Sequence, residues 1–290
     1  MRLPPGLRAE PPPVVYTKRL LYKGFRSDTE PMADDTPVRD VTDDEVAFFE
    51  RNGWVRLPRL VGPDRVAVLR ERALNHLAGR SRAVTTKVDQ AFGQSRDVAE
   101  TDGHFREVAL APQLGRAATR LLRGVAGVRV QVTNLLVKEG GGGHGATEFH
   151  QDFPWMPMDR SAMLTLWLAL VDVPADMGSL RFYSGSHRYG VLGRSFTRDG
   201  DDQLTQHPWL KELELSPPLD LAAGDATVHH ALTVHGAPAN RRDTPRVSFT
   251  VTYFDADALY TGTPYRQTDD LGLTVNRPFE HAKFPVVPHA

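Results

Sequence analysis

Val128-Arg129-Val130-Gln131-Val132-Thr133 is the stretch at which the period of the chain changes. Before it, apolar residues recur at helical spacing; within it, three valines alternate with arginine, glutamine and threonine, the pattern of a strand with one buried face. The glycine run from Gly140 to Gly143 closes this strand. Short β-branched and aromatic runs follow at Met163 to Val173, Leu180 to Tyr183, Ala226 to Val228, Leu232 to Val234 and Val247 to Phe254, separated by Gly, Pro and Asp turns.

Upstream, Thr42 followed by Glu45 is a capping-box pattern that opens a short helix over Val46, Phe48 and Phe49 and ends near Asn52-Gly53. Trp54 to Leu57 reads as a strand. Pro63-Asp64 opens a second helix with Val66, Leu69, Ala73 and Leu77 on one face and Gly79 as its stop, and Pro112 to Leu122 reads as a third. Helices first and many short strands after predict an all-β barrel or sandwich with helices buttressing one side. Residues 1–40, rich in Pro and charge, read as a mobile or draped arm beside one folded domain, 41–290. Residues 190–218 have no clear period and exceed a hairpin loop, so they form a candidate lid, as does the tail from Tyr260 to Pro288.

The absence of cysteine excludes disulfides, thiolate metal sites and cysteine nucleophiles, so any metal must sit on His and carboxylate. A net charge of −1 argues against nucleic acid and anionic membranes as partners, because both select for clustered Lys and Arg. No run approaches the roughly 20 apolar residues of a membrane helix, and the N-terminus lacks an apolar signal core. The expectation is a soluble, cytoplasmic protein acting on a small-molecule substrate, with its oligomeric state open.

The chemistry begins in Glu148-Phe149-His150-Gln151-Asp152-Phe153-Pro154-Trp155. On a strand, residues two apart share a face, so His150 and Asp152 can offer an imidazole nitrogen and a carboxylate oxygen to one point, with Gln151 turned away. By itself this pair equally describes polar residues satisfied inside a core. A third donor is available in Gly224-Asp225-Ala226-Thr227-Val228-His229-His230-Ala231-Leu232-Thr233-Val234-His235-Gly236. Two histidines and one carboxylate with open positions are the ligand set of non-heme Fe(II) oxygenases. Arg246 follows His235 by 11 residues, across a turn, and shares a strand face with Ser248. A guanidinium fork beside a hydroxyl suits one end of a dicarboxylate.

His150-Gln151-Asp152, the Trp167 strand, the run Met177 to Arg188, and Gly224-Asp225 through His235-Gly236 to Asn240 and Arg246 together resemble the phytanoyl-CoA dioxygenase family of Fe(II)- and 2-oxoglutarate-dependent oxygenases. The resemblance covers roughly Thr42 to Phe254. It implies a mainly β fold, the double-stranded β-helix (jelly-roll, cupin-like), with buttressing N-terminal helices. It implies that His150, Asp152 and His235 bind Fe(II) and form the catalytic centre, and that Arg246 pairs with the distal carboxylate of 2-oxoglutarate. Trp167, Thr165 and Ser248 match positions lining the cosubstrate pocket; Gln131 and Lys138 lie on a strand where related enzymes place polar contacts. His229 and His230 compete for the third ligand position, but only His235 is followed by Gly236, Asn240 and the arginine at the matching separation.

The implied reaction consumes O2 and 2-oxoglutarate, releases succinate and CO2, and hydroxylates an unactivated C–H bond of a small or medium-sized organic metabolite, with a biosynthetic pathway favoured. Halogenases of the superfamily lack the carboxylate ligand, and Asp152 is present here. Desaturation, cyclisation and acyl-CoA hydroxylation use the same residues. Phe153, Trp155, Met156 and Arg181 are candidate substrate contacts, although an aromatic and Met cluster also suits a core. Rival readings are a barrel that binds a ligand without turnover and a cupin-type isomerase or hydrolase using another divalent ion.

Overall fold

The computed structural model describes residues 38–78, 87–194 and 202–288. The expected arm lies almost wholly outside them, as do the expected helix stop at Gly79 and residues 195–201 of the expected lid. Thr42 caps α1 (Asp43–Asn52) as the sequence predicts: its hydroxyl accepts from the Glu45 amide at 3.2 Å, and the Glu45 carboxylate accepts from the Thr42 amide at 2.8 Å. Gly53 closes the helix at φ 75°, in the left-handed region, and a Cβ there would lie 2.4 Å from Nδ1 of His187.

The chain continues through β1 (Trp54–Leu57), α2 (Pro63–Ala78), α3 (Lys87–Ala91), β2 (Gly93–Arg96), α4 (Val98–Thr101), α5 (Gly103–Ala109) and α6 (Pro112–Leu122). Then come β3 (Val128–Lys138), β4 (Thr147–His150), β5 (Met163–Ala169), β6 (Arg181–Phe182), α7 (Gln203–Gln206), β7 (Ala226–His230), β8 (His235–Ala237) and β9 (Arg246–Asp255). The strands form two antiparallel sheets, one ordered β1-β7-β5-β9-β3-β2 and the other β4-β8-β6, a jelly-roll arrangement. Among the described residues no helix is long and apolar enough to cross a membrane.

Alternation along the central strands divides the six-stranded sheet into two faces. Leu164, Leu166 and Leu168 of β5 and Val247, Phe249, Val251 and Tyr253 of β9 pack in one cluster with Leu69, Ala73, Phe105, Leu114 and Ala118 of the helices. The residues between them, among them Thr165, Trp167, Arg246, Ser248, Thr250 and Thr252, take the opposite face, and Trp167 there joins one apolar cluster with Phe182 of the smaller sheet.

Two strand expectations are corrected. The alternation of β3 does not run unbroken through Val132: a bulge falls between Val130 and Val132, Gln131 is the extra residue, and Thr133 joins the helix side, where its hydroxyl accepts from the Ala99 amide at 3.1 Å. Leu232 to Val234 is not a strand but the turn linking β7 to β8, with the Thr233 amide donating to the His230 carbonyl at 2.8 Å. The chain after β9 folds back over the barrel, and Phe279 and Phe284 pack against Phe254 at ring distances of 5.1 and 6.1 Å.

Candidate metal centre

His150 is the last residue of β4 and His235 the first of β8, and the two are register partners across the smaller sheet. Asp152 reaches the same point by a route that strand alternation does not describe. The strand has already ended; Asp152, at φ −77° and ψ −36°, opens the 3-10 turn Phe153–Trp155, and the amides of Asp152 and Phe153 both donate to the Ala231 carbonyl at 3.0 Å. Pro154 has no N–H for a ladder and favours such a turn. Gln151 points away, buried, with its amide nitrogen donating to the carbonyls of Leu232 at 2.7 Å and Gly190 at 2.9 Å.

One donor atom from each of His150, Asp152 and His235 lies within 4.8 Å of the others. Oδ1 of Asp152 is 3.7 Å from Nε2 of His150 and 3.8 Å from Nε2 of His235. The backbone sets both imidazoles: Nδ1 of His150 meets the Glu148 carbonyl at 2.8 Å and Nδ1 of His235 the Thr233 carbonyl at 3.0 Å. A proton on each Nδ1 leaves each Nε2 lone pair free for a metal. Burial lowers the pKa of both histidines and keeps them neutral. Burial pushes the Asp152 carboxyl up, but the His235, His229 and His150 rings, which take up charge in the acid range where a carboxyl titrates, outweigh it and hold the group well below the ordinary carboxylate range. A carboxylate and two neutral imidazoles are the donor set that suits a divalent iron.

The competing histidines separate. Nε2 of His229 lies 3.2 Å from Oδ2 of Asp152, and the Thr165 hydroxyl donates to the same oxygen at 2.8 Å. Together they occupy Oδ2 and leave Oδ1 facing the two imidazoles. His230, on the opposite side of its strand, accepts from the Leu232 amide at 3.1 Å, and burial pushes its pKa down to about 4.

On the inner face of the six-stranded sheet, Lys138 and Arg246 are register partners across β3 and β9, both buried. Arg246 donates to the Gly178 carbonyl and lies 5.1 Å from the centre of the Trp167 ring. Lys138 donates to the Gly145 carbonyl at 2.6 Å and to the Thr147 hydroxyl at 3.1 Å. Burial, then the Arg246 charge, lowers its pKa to about 7. Among the described residues neither cation has a carboxylate within 4.0 Å. Nε of Arg246 and Nε1 of Trp167 are buried with no protein partner. Orphaned donors beside two unneutralised cations fit a bound dianion.

The other expected positions scatter. Ser248 is buried on the Arg246 face. Phe153 and Met156, both half-buried, pack onto the edge of the cluster of Met158 and Phe254. Trp155 lies under Arg194 at 4.7 Å. Arg181 is not brought to the cluster: Nε donates to the Ser216 carbonyl at 2.6 Å, while its neighbour Phe182 takes the inward position, 6.3 Å ring to ring from His235. Gln131 meets a tail residue unmarked by any motif, donating to Oε1 of Gln267 at 2.6 Å.

The family model of phytanoyl-CoA dioxygenase (PhyH) matches residues 49–248. Phytanoyl-CoA dioxygenase 1 of rice (Oryza sativa subsp. japonica) is 23% identical over 261 residues, 76% of this chain and 92% of that protein. The non-heme alpha-ketoglutarate-dependent carbocyclase SnoK from nogalamycin biosynthesis superposes with a TM-score of 0.73 at 29% identity, covering 85% of this chain and 96% of its own. The epimerase SnoN, in complex with Fe3+, alpha-ketoglutarate and nogalamycin RO, gives 0.72 at 29%, with coverage of 84% and 98%. The chain therefore belongs to the phytanoyl-CoA dioxygenase (PhyH) family and is an Fe(II)- and 2-oxoglutarate-dependent dioxygenase.

Proposed function

We propose that His150, Asp152 and His235 hold Fe(II), that Arg246 and Lys138 hold the distal carboxylate of 2-oxoglutarate, and that the enzyme hydroxylates an unactivated C–H bond of a small or medium-sized organic metabolite. The observation that carries the cosubstrate assignment is the Lys138–Arg246 pair: two buried cations side by side, facing inward, with no acidic partner among the described residues. Bound at the triad, iron with 2-oxoglutarate and O2 supplies an oxidant for the C–H bond, and succinate and CO2 leave.

The chain's own residues bind, orient and exclude water. Arg246 and Lys138 clamp one carboxylate, and the Trp167 ring lies against the guanidinium and fixes its position. Thr165 and His229 hold Oδ2 of Asp152 so that Oδ1 points at the metal position. Phe182 closes the side next to His235 and His229, at ring distances of 6.3 and 5.6 Å, and keeps bulk water off that flank. The names of SnoK and SnoN, a carbocyclase and an epimerase, favour a second outcome on the same residues, ring closure or inversion at carbon.

The test is succinate release from protein, Fe(II), 2-oxoglutarate and O2, with and without added metabolites, alongside the iron content. Slow release without substrate, abolished in Asp152→Ala, is expected. No succinate under any condition and no bound iron would leave a barrel that only binds a ligand, and activity that persists without O2 would indicate an isomerase or hydrolase.

A further inference from the structure

A group of side chains where β2 meets the tail belongs neither to the triad nor to the cosubstrate clamp. Arg96 pairs in register with Asn134, and cross-strand partners share a face, so Arg96 stands on the inner face of the sheet. The β3 bulge frees Gln131 from the alternation, and its amide donates to Oε1 of Gln267 at 2.6 Å; the Tyr265 hydroxyl donates to the same oxygen at 2.9 Å. Residues 265–267 are thereby tied to the barrel wall next to Arg96. Burial pushes the Tyr265 phenol up, while Gln131, Arg96 and Arg266 pull it back and Asp152 pushes it further. One ring thus sits within electrostatic reach of two guanidinium groups and of the metal-binding carboxylate. A hydroxyl chain leads the same way: Asp152 accepts from Thr165, which is 3.1 Å from Thr252, the register partner of Val132 beside the bulge.

Among the described residues the two arginines are not neutralised. Arg96 donates through Nε to the uncharged Oε1 of Gln94 at 3.0 Å, and the adjacent Asp97 carboxylate is engaged by Lys283 at 3.3 Å. Among the described residues neither guanidinium has a carboxylate within 4.0 Å, and both side chains are exposed. Partial loss of hydration, then the Arg266 charge, lowers the Arg96 pKa, so the two like charges oppose one another.

We infer that Arg96 and Arg266 receive a negatively charged group of the substrate, a carboxylate or other oxyanion, with the Gln131–Gln267–Tyr265 network holding residues 265–267 in place, and that the substrate is an anionic small molecule. The inference rests on the triad and clamp assigned above. The subsite is distinct from the cosubstrate clamp: Asn134, opposite Arg96, is four residues along β3 from Lys138, about 13 Å at about 3.3 Å per residue.

The experiment is binding of benzoate, with methyl benzoate as its neutral counterpart, to anaerobic protein loaded with Fe(II) and saturated with 2-oxoglutarate, measured by calorimetry. Benzoate is expected to bind at least about tenfold more tightly than the ester, and the Arg96→Gln/Arg266→Gln double variant to lose about tenfold for benzoate alone. Unchanged affinity for iron and 2-oxoglutarate in the double variant shows that its fold and metal centre are intact. No benzoate binding, equal affinity for acid and ester, displacement of benzoate by 2-oxoglutarate, or a double variant that binds benzoate like the parent would overturn the inference. Failure of the underlying reading is separable: Asp152→Ala would then keep iron, or Arg246→Met keep 2-oxoglutarate affinity, whatever benzoate does.

Discussion

The two faces of β9 come from one stretch of ten residues and differ completely in content. Val247, Phe249, Val251 and Tyr253 look toward the helices and join one continuous apolar cluster; Arg246, Ser248, Thr250 and Thr252 look into the barrel. The first set gains by leaving water, at about 25 cal/mol per Å² of apolar surface buried. The second set costs free energy to bury unless it is hydrogen-bonded: Thr252 pairs with Thr165 and Thr250 with Asn134, while Nε of Arg246 has no protein partner. The fold is therefore carried on one side of the sheet and the chemistry on the other, and a substitution should affect one and spare the other according to its parity in the strand.

The largest effect expected on the inner side is that of Asp152→Ala, which removes the one anionic donor. Iron content and succinate release should both fall to background, while the thermal midpoint of the metal-free protein changes little. A variant that lost its fold along with its iron would break the division between faces. Next in size is Phe249→Ala on the outer side. The side chain is fully buried and its ring lies 4.8 Å from that of Phe105, so the cavity left should cost about 3–5 kcal/mol in urea unfolding. Iron and 2-oxoglutarate affinities of the remaining folded fraction should stay at the parent values.

The same division explains what could be read from the residues alone. Strands with both a strict alternation and a chemical motif, β5 with Thr165 and Trp167 and β9 with Arg246 and Ser248, were legible, and their inward residues surround the cluster. The capping box at Thr42 was legible because its signal is local. The reach of Asp152 was anticipated for a reason that does not hold, since a turn and not a strand delivers it. The β3 bulge has no sequence signature here, because Val132 continues the alternation as text and only pairing with Thr252 reveals the extra residue. Tyr265 and Gln267 were invisible for a related reason: the tail has no period, and its contact with Gln131 spans more than 130 residues. Phe153 and Met156 were ambiguous between wall and core because composition cannot say which side of a turn a side chain leaves; half-buried at the edge of the Met158 and Phe254 cluster, they touch the core with one side only.

Arg246→Met tests the inner face away from the metal. With the guanidinium gone, the dissociation constant for 2-oxoglutarate should rise by more than about thirtyfold, corresponding to loss of about 2 kcal/mol or more for a buried charged hydrogen bond. Iron content should stay near one per chain. Equal loss of iron and cosubstrate would mean that the inner face collapses as a unit. Thr165→Val is smaller: one of two contacts on Oδ2 of Asp152 is removed while His229 keeps the other, so iron affinity should fall by roughly tenfold with 2-oxoglutarate binding to the iron-loaded form retained.

The subtlest outcome belongs to Lys138, whose buried ammonium faces Arg246 and titrates near neutrality, at about 7 against an ordinary 10.5. Because the folded value is the lower one, the unfolded chain holds more protons between those limits, and Lys138 makes the ligand-free protein more stable as pH rises through that window. Cosubstrate binding has the opposite sign. A carboxylate placed between Lys138 and Arg246 favours the charged amine, so binding above pH 7 takes up a proton and affinity for 2-oxoglutarate weakens as pH rises, by at most about tenfold per unit. Lys138→Met should bind 2-oxoglutarate more weakly at pH 6.5 and lose this slope between about pH 7 and 9. Calorimetry in two buffers of different ionisation enthalpy measures the proton uptake directly. A slope that survives in Lys138→Met would place the titrating group elsewhere and remove Lys138 from the clamp, leaving Arg246 as the sole side-chain cation on the distal carboxylate.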